Sequence, residues 1–509
     1  MQKRGPGGEQ PIADSIMGLD RRALDRARAS RDPRFDGRFF IAVTSTGIYC
    51  RPRCPAPSPK KSNVRYYATA AAAAEAGFRP CLRCRPEAAP GTPAWMGTST
   101  VVRRALRLIE DGALDDSSVE TLASRVGIGA RQLHRLFIQH VGASPITVAQ
   151  TRRLHFAKRL LDETSLPITE IALAAGYGSL RRFNDASLKT YERAPRDLRR
   201  LRRAGPASPQ REEIVLRLAY RPPYDWRAMS EALAARAVSG VERVDARGYA
   251  RTIAGEGGPA IVCVRPLPDA NALELRARGA APAALFQLSQ AARRVFDLAS
   301  DPAPVQMVLR RDTLLAPLVK RRAGLRIPGS WDPWECAVGA VLAPRAGAGT
   351  TGTLIERLVA RAGARIAGGS EGLTHLFPSP AALAMARLDG LGLDATHVAA
   401  LRALAHAALE GAFEVEAPEQ LIATVAALPG VGPRAAQDVA LQALGDPDAF
   451  PATDLVLRRM ASPDGTPLTA RALEKRAEAW RPWRGYAAVH LWRAADRARK
   501  SLVTTRRSA

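Results

Sequence analysis

The chain has 509 residues, 46% of them hydrophobic, and carries 75 Lys+Arg against 49 Asp+Glu, a formal net charge of +26. That length calls for three or four domains with apolar side chains enough for several cores, and the charge points to a nucleic-acid partner. No charged leader with an apolar stretch and no run of 18 apolar residues is found, so a cytoplasmic protein without a membrane partner is expected.

The positive charge is concentrated at the front: residues 1–210 hold 36 basic against 19 acidic residues, leaving +9 for the remaining 299. Residues 1–18 read as a disordered Gly- and Pro-containing tail. A first domain is expected over 19–92, built on Cys50-x3-Cys54, a 26-residue spacer and Cys81-x2-Cys84. Two close cysteine pairs at that separation place four thiolates on one tetrahedral ion, and one Zn2+ is the expected cofactor. Arg51, Arg53, Arg79, Arg83 and Arg85 crowd the frame. They could neutralise the excess thiolate charge, or hold a phosphate against a sulfur. A closed four-sulfur shell is also what a purely structural ion takes.

The stretches RDPRFDGRFFIAVTSTGIYCRPRC and NVRYYATAAAAAEAGFRPCLRCRP resemble the N-terminal domain of the bacterial Ada methylation-response proteins over about 60 residues, with all four cysteines matched. The resemblance implies that Cys50 is both a metal ligand and the acceptor of a methyl group from a methylphosphotriester in DNA. A metal-bound thiolate is deprotonated at neutral pH and still nucleophilic. Methylation would remove one negative charge from a surface facing phosphates, so DNA affinity should rise.

From 100 to 203 the patterns are helical. Val119, Leu122, Ala123 and Val126 fall at i, i+3, i+4 and i+7, and Gly127-Ile128-Gly129 turns into a second helix carrying Leu133, Leu136 and Phe137. About 50 residues later the outline recurs, with Ile168, Ile171 and Ala172, then Gly176-Tyr177-Gly178, then a helix capped by Ser179. A basic helix over roughly 145–161 joins the two. The tandem resembles the AraC-type DNA-binding domain, which implies recognition helices at 130–139 and 179–191, each in a major groove. Their expected exposed readers are Arg131, Gln132, His134 and Arg135, and Arg181, Arg182 and Asn184: Arg suits guanine, and Asn or Gln suits adenine. The alternative is that half of them touch only phosphate.

Residues 211–318 alternate short β-type runs with helical ones and read as a small α/β domain. RPPYDWRAMSEALAARAVSGVERV within it resembles the start of AlkA-type 3-methyladenine DNA glycosylases. An all-helical domain follows over 321–503. Its sharpest motif is Leu428-Pro429-Gly430-Val431-Gly432 between two helices, where Gly430 and Gly432 would let a DNA phosphate approach the backbone N–H groups of the following helix. Asp454 lies 20 residues beyond Arg434 and opens another helix.

This region resembles the helix-hairpin-helix glycosylase superfamily, which implies that Asp454 is the catalytic carboxylate, stabilising positive charge on the deoxyribose as the base departs. A plain N-cap is the structural alternative for Asp454. Position 434 holds an arginine where bifunctional members carry a nucleophilic lysine, so no lyase step is expected. Trp492 matches the aromatic pocket of the family, whereas Arg434, Asp438 and Leu455 stand where aromatics can stand, and Arg345 falls in the run that reaches into the DNA gap.

The sequence therefore predicts a multidomain, mostly α protein with α+β parts. It is expected to accept methyl groups at Cys50, to regulate transcription at promoter DNA, and to excise alkylated purines as a monofunctional N-glycosylase. The competing reading is a zinc-dependent transcription factor whose rear domain is catalytically weak and only binds DNA. Double-stranded DNA, alkylated and promoter, is the expected partner, with RNA polymerase as a further candidate.

Overall fold

The computed structural model describes residues 15–16, 18–90, 100–110, 112–201, 213–255, 258–343, 348–367, 372–413, 418–429, 431–462 and 465–507. The chain divides into two compact units. The first is Met1–Pro222 with Gly255–Gly257 and Leu267–Gln290, and the second is Pro223–Ala254, Gly258–Pro266 and Ala291–Ala509.

The first unit opens with two short antiparallel strands, Ser15–Ile16 and Leu19–Asp20, so regular structure begins ahead of residue 18 and Ile16 is buried. The Asp20 carboxylate caps the helix Arg21–Ser30 by accepting from the Ala23 N–H at 2.6 Å. A four-stranded sheet follows in the order Val64–Tyr67, Phe40–Val43, Ile48–Cys50, Arg79–Pro80, with only the last pairing parallel. Side chains alternate across it as a period of two requires. Phe39, Ile41, Val64 and Tyr66 pack with Leu24 and Ala27 of the first helix. Phe40, Ala42 and Tyr49 pack on the other face with Ala73 of the helix Ala70–Glu75 and with Phe78.

Seven helices then run Thr100–Glu110, Val119–Arg125, Ala130–Val141, Pro145–Glu163, Ile168–Ala174, Leu180–Tyr191 and Pro195–Arg200. Ser118, Ser144 and Ser179 each accept a backbone N–H three residues on, which fixes where three of these helices start. The apolar periodicity read from the sequence is the packed face: Leu122, Ala123, Leu133 and Phe137 are all buried in one cluster.

The strand Glu213–Ala219 pairs antiparallel with Ala272–Arg278 in this unit, and Arg159 donates to the Arg217 carbonyl at 2.8 Å. In the second unit Glu242–Asp245, Gly248–Ile253 and Ala260–Leu267 form an antiparallel meander. The segment 211–318, expected as one domain, thus contributes strands to both units. The remainder of the second unit is helical. Trp334, Leu358, Leu401, Leu421, Val431, Ala436 and Val439 share its main core, which includes both helices flanking the hairpin motif, Pro418–Ala427 and Gly432–Gln442. No helix among the described residues is long and apolar enough to cross a membrane.

Candidate metal centre and DNA-facing sites

The cysteine frame is assembled by backbone pairing. Cys50 ends a strand, the Cys81 N–H bonds the Tyr49 carbonyl at 3.0 Å, and the Cys54 N–H turns back to the Arg51 carbonyl at 3.1 Å. The four Sγ atoms of Cys50, Cys54, Cys81 and Cys84 all lie within 4.8 Å of one another. A tetrahedron of zinc–sulfur bonds has edges of about 3.8 Å, so the donor set fits one Zn2+ with little adjustment. Cys81 and Cys84 are buried, whereas Cys50 and Cys54 are only partly so.

The surrounding arginines sort into two kinds. Arg51 is buried and bidentate on buried Asp36, and it also donates to the Cys84 and Arg85 carbonyls, both at 3.3 Å. Arg85 pairs with Asp162 at 2.9 Å and Glu163 at 3.5 Å, and Arg79 with Glu192 at 3.3 Å. These three hold the frame against its neighbours. Arg53 and Arg83 are exposed and lie beside the sulfurs in sequence, and Arg53 Nη1 also comes within 3.9 Å of Asp36 Oδ2. The two cysteines outside the frame, Cys263 and Cys336, are partly buried rather than fully enclosed, and desolvation pushes the Cys336 thiol up to about 12.

On the first reader helix Arg131, Gln132, His134 and Arg135 are exposed, while Leu133 and Phe137 face inward. On the second, Arg181 and Arg182 are exposed, but Asn184 is partly buried because it lies beside Phe183 on the flank of the packed face. Asn184 is thus less accessible than its position suggested. The turn before this helix needs Gly176: φ is +80°, and a Cβ there would lie 2.5 Å from Asp115 Oδ2.

In the second unit Gly432 begins its helix at φ +73° with open space around it, so the glycine is required by its backbone angle and leaves room for an approaching group. Gly430 and Arg345 lie outside the described residues. Asp454 caps the helix Leu455–Met460: its Oδ1 accepts from the Leu457 N–H at 2.9 Å and from Trp492 Nε1 at 3.3 Å. Arg434 Nη2 sits 2.8 Å from Asp454 Oδ2, and Arg434 Nε is 3.7 Å from Asp438 Oδ2. Burial raises the Asp438 carboxyl to about 6, against the pull of Arg434 and with a further push from Asp454. Leu455 is 44% exposed and touches neither carboxylate in a polar sense.

The structure thus brings Asp454, Trp492, Arg434 and Asp438 together. Sequence reasoning missed Gln437, whose side chain accepts from the Phe450 N–H at 3.1 Å and ties the hairpin helix to the turn that presents Asp454. Its place three residues after Arg434 was the available signal.

Family models match three segments: "Metal binding domain of Ada" over 23–87, "Helix-turn-helix domain" over 122–201 and "AlkA N-terminal domain" over 215–332. A probable bifunctional transcriptional activator/DNA repair enzyme AlkA of Mycobacterium tuberculosis is 40% identical over 472 residues, covering 92% of this chain and 95% of that protein. DNA-3-methyladenine glycosylase 2 of Escherichia coli is 35% identical over 282 residues, 54% of this chain and 95% of that one. The bifunctional activator/repair enzyme Ada of Escherichia coli is 39% identical over 150 residues, 29% of this chain and 40% of that one. With its metal-binding, helix-turn-helix and glycosylase-like parts in one polypeptide, the chain belongs to the family of bifunctional transcriptional activator/DNA repair enzymes of the Ada–AlkA type.

Proposed function

We propose that this protein couples DNA repair to a transcriptional response, taking methyl groups from DNA methylphosphotriesters at Cys50 and removing alkylated purines through Asp454. A Zn2+ held by Cys50, Cys54, Cys81 and Cys84 would keep the Cys50 sulfur deprotonated at neutral pH. Cys50 Sγ attacks the methyl carbon, an S–C bond forms, and the C–O bond breaks to leave a phosphodiester anion. No general acid is needed, and the protein is consumed once. Cys50 suits this role because, like Cys54, it is partly open while Cys81 and Cys84 are buried, and the exposed Arg53 and Arg83 flank the frame in sequence.

The loss of one negative charge then strengthens binding to promoter DNA through the two reader helices, with RNA polymerase as the partner of an activator in the bacterial nucleoid. In the rear part Asp454 is held by Leu457 N–H and Trp492 Nε1, and its charge would stabilise the sugar cation as the base leaves. Arg434 is no candidate nucleophile, because a guanidinium stays protonated. The ion pair between Arg434 and Asp454 favours a second reading, in which this part turns over slowly and serves chiefly to bind DNA.

The observation that carries the proposal is the clustered cysteine frame with Cys50 at its partly open side. The test is mass spectrometry after incubation with DNA carrying methylphosphotriesters. One added methyl on the peptide containing Cys50, absent in Cys50→Ser, is the expected outcome. Label on Cys81 or Cys84, or on no cysteine, would leave the ion a purely structural role.

A further inference from the structure

Every oxygen of Asp454 has a donor. Oδ1 takes the Leu457 N–H and Trp492 Nε1, and Oδ2 takes Arg434 Nη2 at 2.8 Å. The carboxylate side chain is only 5% exposed, and the guanidinium covers its remaining oxygen. Two opposite charges so close act on a third charge as a dipole, whose potential falls off faster with distance than that of a single charge. Paired in this way, Asp454 offers little to a developing sugar cation.

Arg434, however, is not locked in place. Its side chain is 39% exposed, and its Nε already lies 3.7 Å from a second carboxylate, Asp438, one helical turn further along the same helix. Asp438 is 15% exposed, and its carboxyl is raised by desolvation, which marks an anion short of partners. A side-chain rotation alone would carry the guanidinium from one carboxylate to the other.

Resting on the glycosylase reading above, we propose that Arg434 is a latch on Asp454: the site is closed while the guanidinium holds Asp454 Oδ2 and opens when it is handed to Asp438. In the closed state the acid is screened, and in the open state its full charge faces the reacting sugar. The arrangement inverts the usual expectation for a charged residue touching a catalytic group, because removing it should raise the rate.

The experiment measures free 7-methylguanine released from a methylated duplex under single-turnover conditions by the full chain and its variants. Arg434→Gln should release base about 10-fold faster than wild type, less than the roughly 100-fold scale of a whole electrostatic contact because the guanidinium screens Asp454 without removing it. Asp438→Asn, which removes the open-state partner, should be slower than wild type. Arg434→Gln/Asp454→Asn should lose that gain and release base no faster than Asp454→Asn.

Arg434→Met covers the case in which Arg434→Gln does not fold. An uncharged thioether side chain of similar length can pair with neither carboxylate, so it should release base faster than wild type. Release by either Arg434 variant at or below wild type, with Asp454→Asn still impaired, would overturn the latch and leave the glycosylase reading standing. If every protein stays at the no-enzyme rate, the glycosylase reading itself fails and the latch fails with it. A merely structural i, i+4 pair would leave release unchanged or lower it.

Discussion

The hydroxyl of Tyr49 lies 2.9 Å from Nε2 of His155, so the residue just before the first cysteine of the frame is bonded to the helix Pro145–Glu163 that joins the two helix-turn-helix motifs. The same helix receives Arg85 through Asp162 and Glu163, and its Lys158 lies 3.7 Å from Glu87. The helix Ala70–Glu75 adds a further tie, with Glu75 accepting from the Ser144 N–H at 3.2 Å. The metal part and the DNA-reading part share one polar seam.

That seam makes stability depend on pH. Desolvation, with Lys158 adding repulsion, pushes His155 down to about 4 from an ordinary 6.5. The neutral ring therefore contributes stability that is complete above pH 6.5 and is lost as pH falls from 6.5 towards 4, on the order of 1–3 kcal/mol. Thermal melts of the wild type should drop over this range more steeply than those of His155→Gln. Parallel curves would show that His155 does not titrate as its surroundings dictate.

Metal removal should loosen the front of the protein. Its sheet buries only small clusters, and the Arg79–Pro80 strand that leads into the second cysteine pair is just two residues long. Cys54→Ala or chelation should abolish stoichiometric zinc and lower the first unfolding transition, since metal-binding free energy is folding free energy in such sites. Protein purified without chelator that carries no zinc, yet melts normally, would contradict this.

Arg131 and Arg182 sit in the first turns of their helices and are exposed, where reader helices meet base edges. Either one changed to Ala should cost about 1–3 kcal/mol on duplexes enriched from a random pool and far less on unselected DNA. An equal loss on both, with the salt slope reduced by about 1, would reassign that arginine to phosphate.

Asp454→Asn retains a side-chain oxygen able to cap Leu457 but loses the charge. Base release under single-turnover conditions should fall by roughly 100-fold while duplex binding and the melting temperature hold. Equal release by the two proteins, well above the no-enzyme rate, would remove Asp454 from the chemistry.

The parts of the protein that follow a local rule were legible in the sequence. The four cysteines announce themselves by spacing, and the helix-turn-helix cores by Leu122, Ala123, Leu133 and Phe137 at helical intervals. Asp454 and Trp492 could be named because each matches a motif position. What escaped was pairing between charged or polar groups far apart in the chain: Tyr49 with His155, Arg85 with Asp162, Arg434 with Asp454. No periodicity encodes which of 75 cations meets which of 49 anions, since that choice is made by packing after the helices form. Asn184 shows the same limit at a finer scale, because this reader position next to buried Phe183 is itself partly buried.

Glu87 and Lys158 have a consequence for how this gene can be taken apart. Both side chains are almost wholly enclosed, at 2% and 6% exposure, and burial raises the Glu87 carboxyl while Lys158 opposes it. Separating the polypeptide after residue 90 would strip this contact from both, leaving Glu87 with Arg85 and Lys158 with Asp162 in their own pieces and opening the enclosed seam to water. The acceptor part and the operator-reading part are therefore matched to each other through an enclosed charged contact, and a foreign sensor placed on this reader would need a carboxylate where Glu87 stands as well as the cysteine frame.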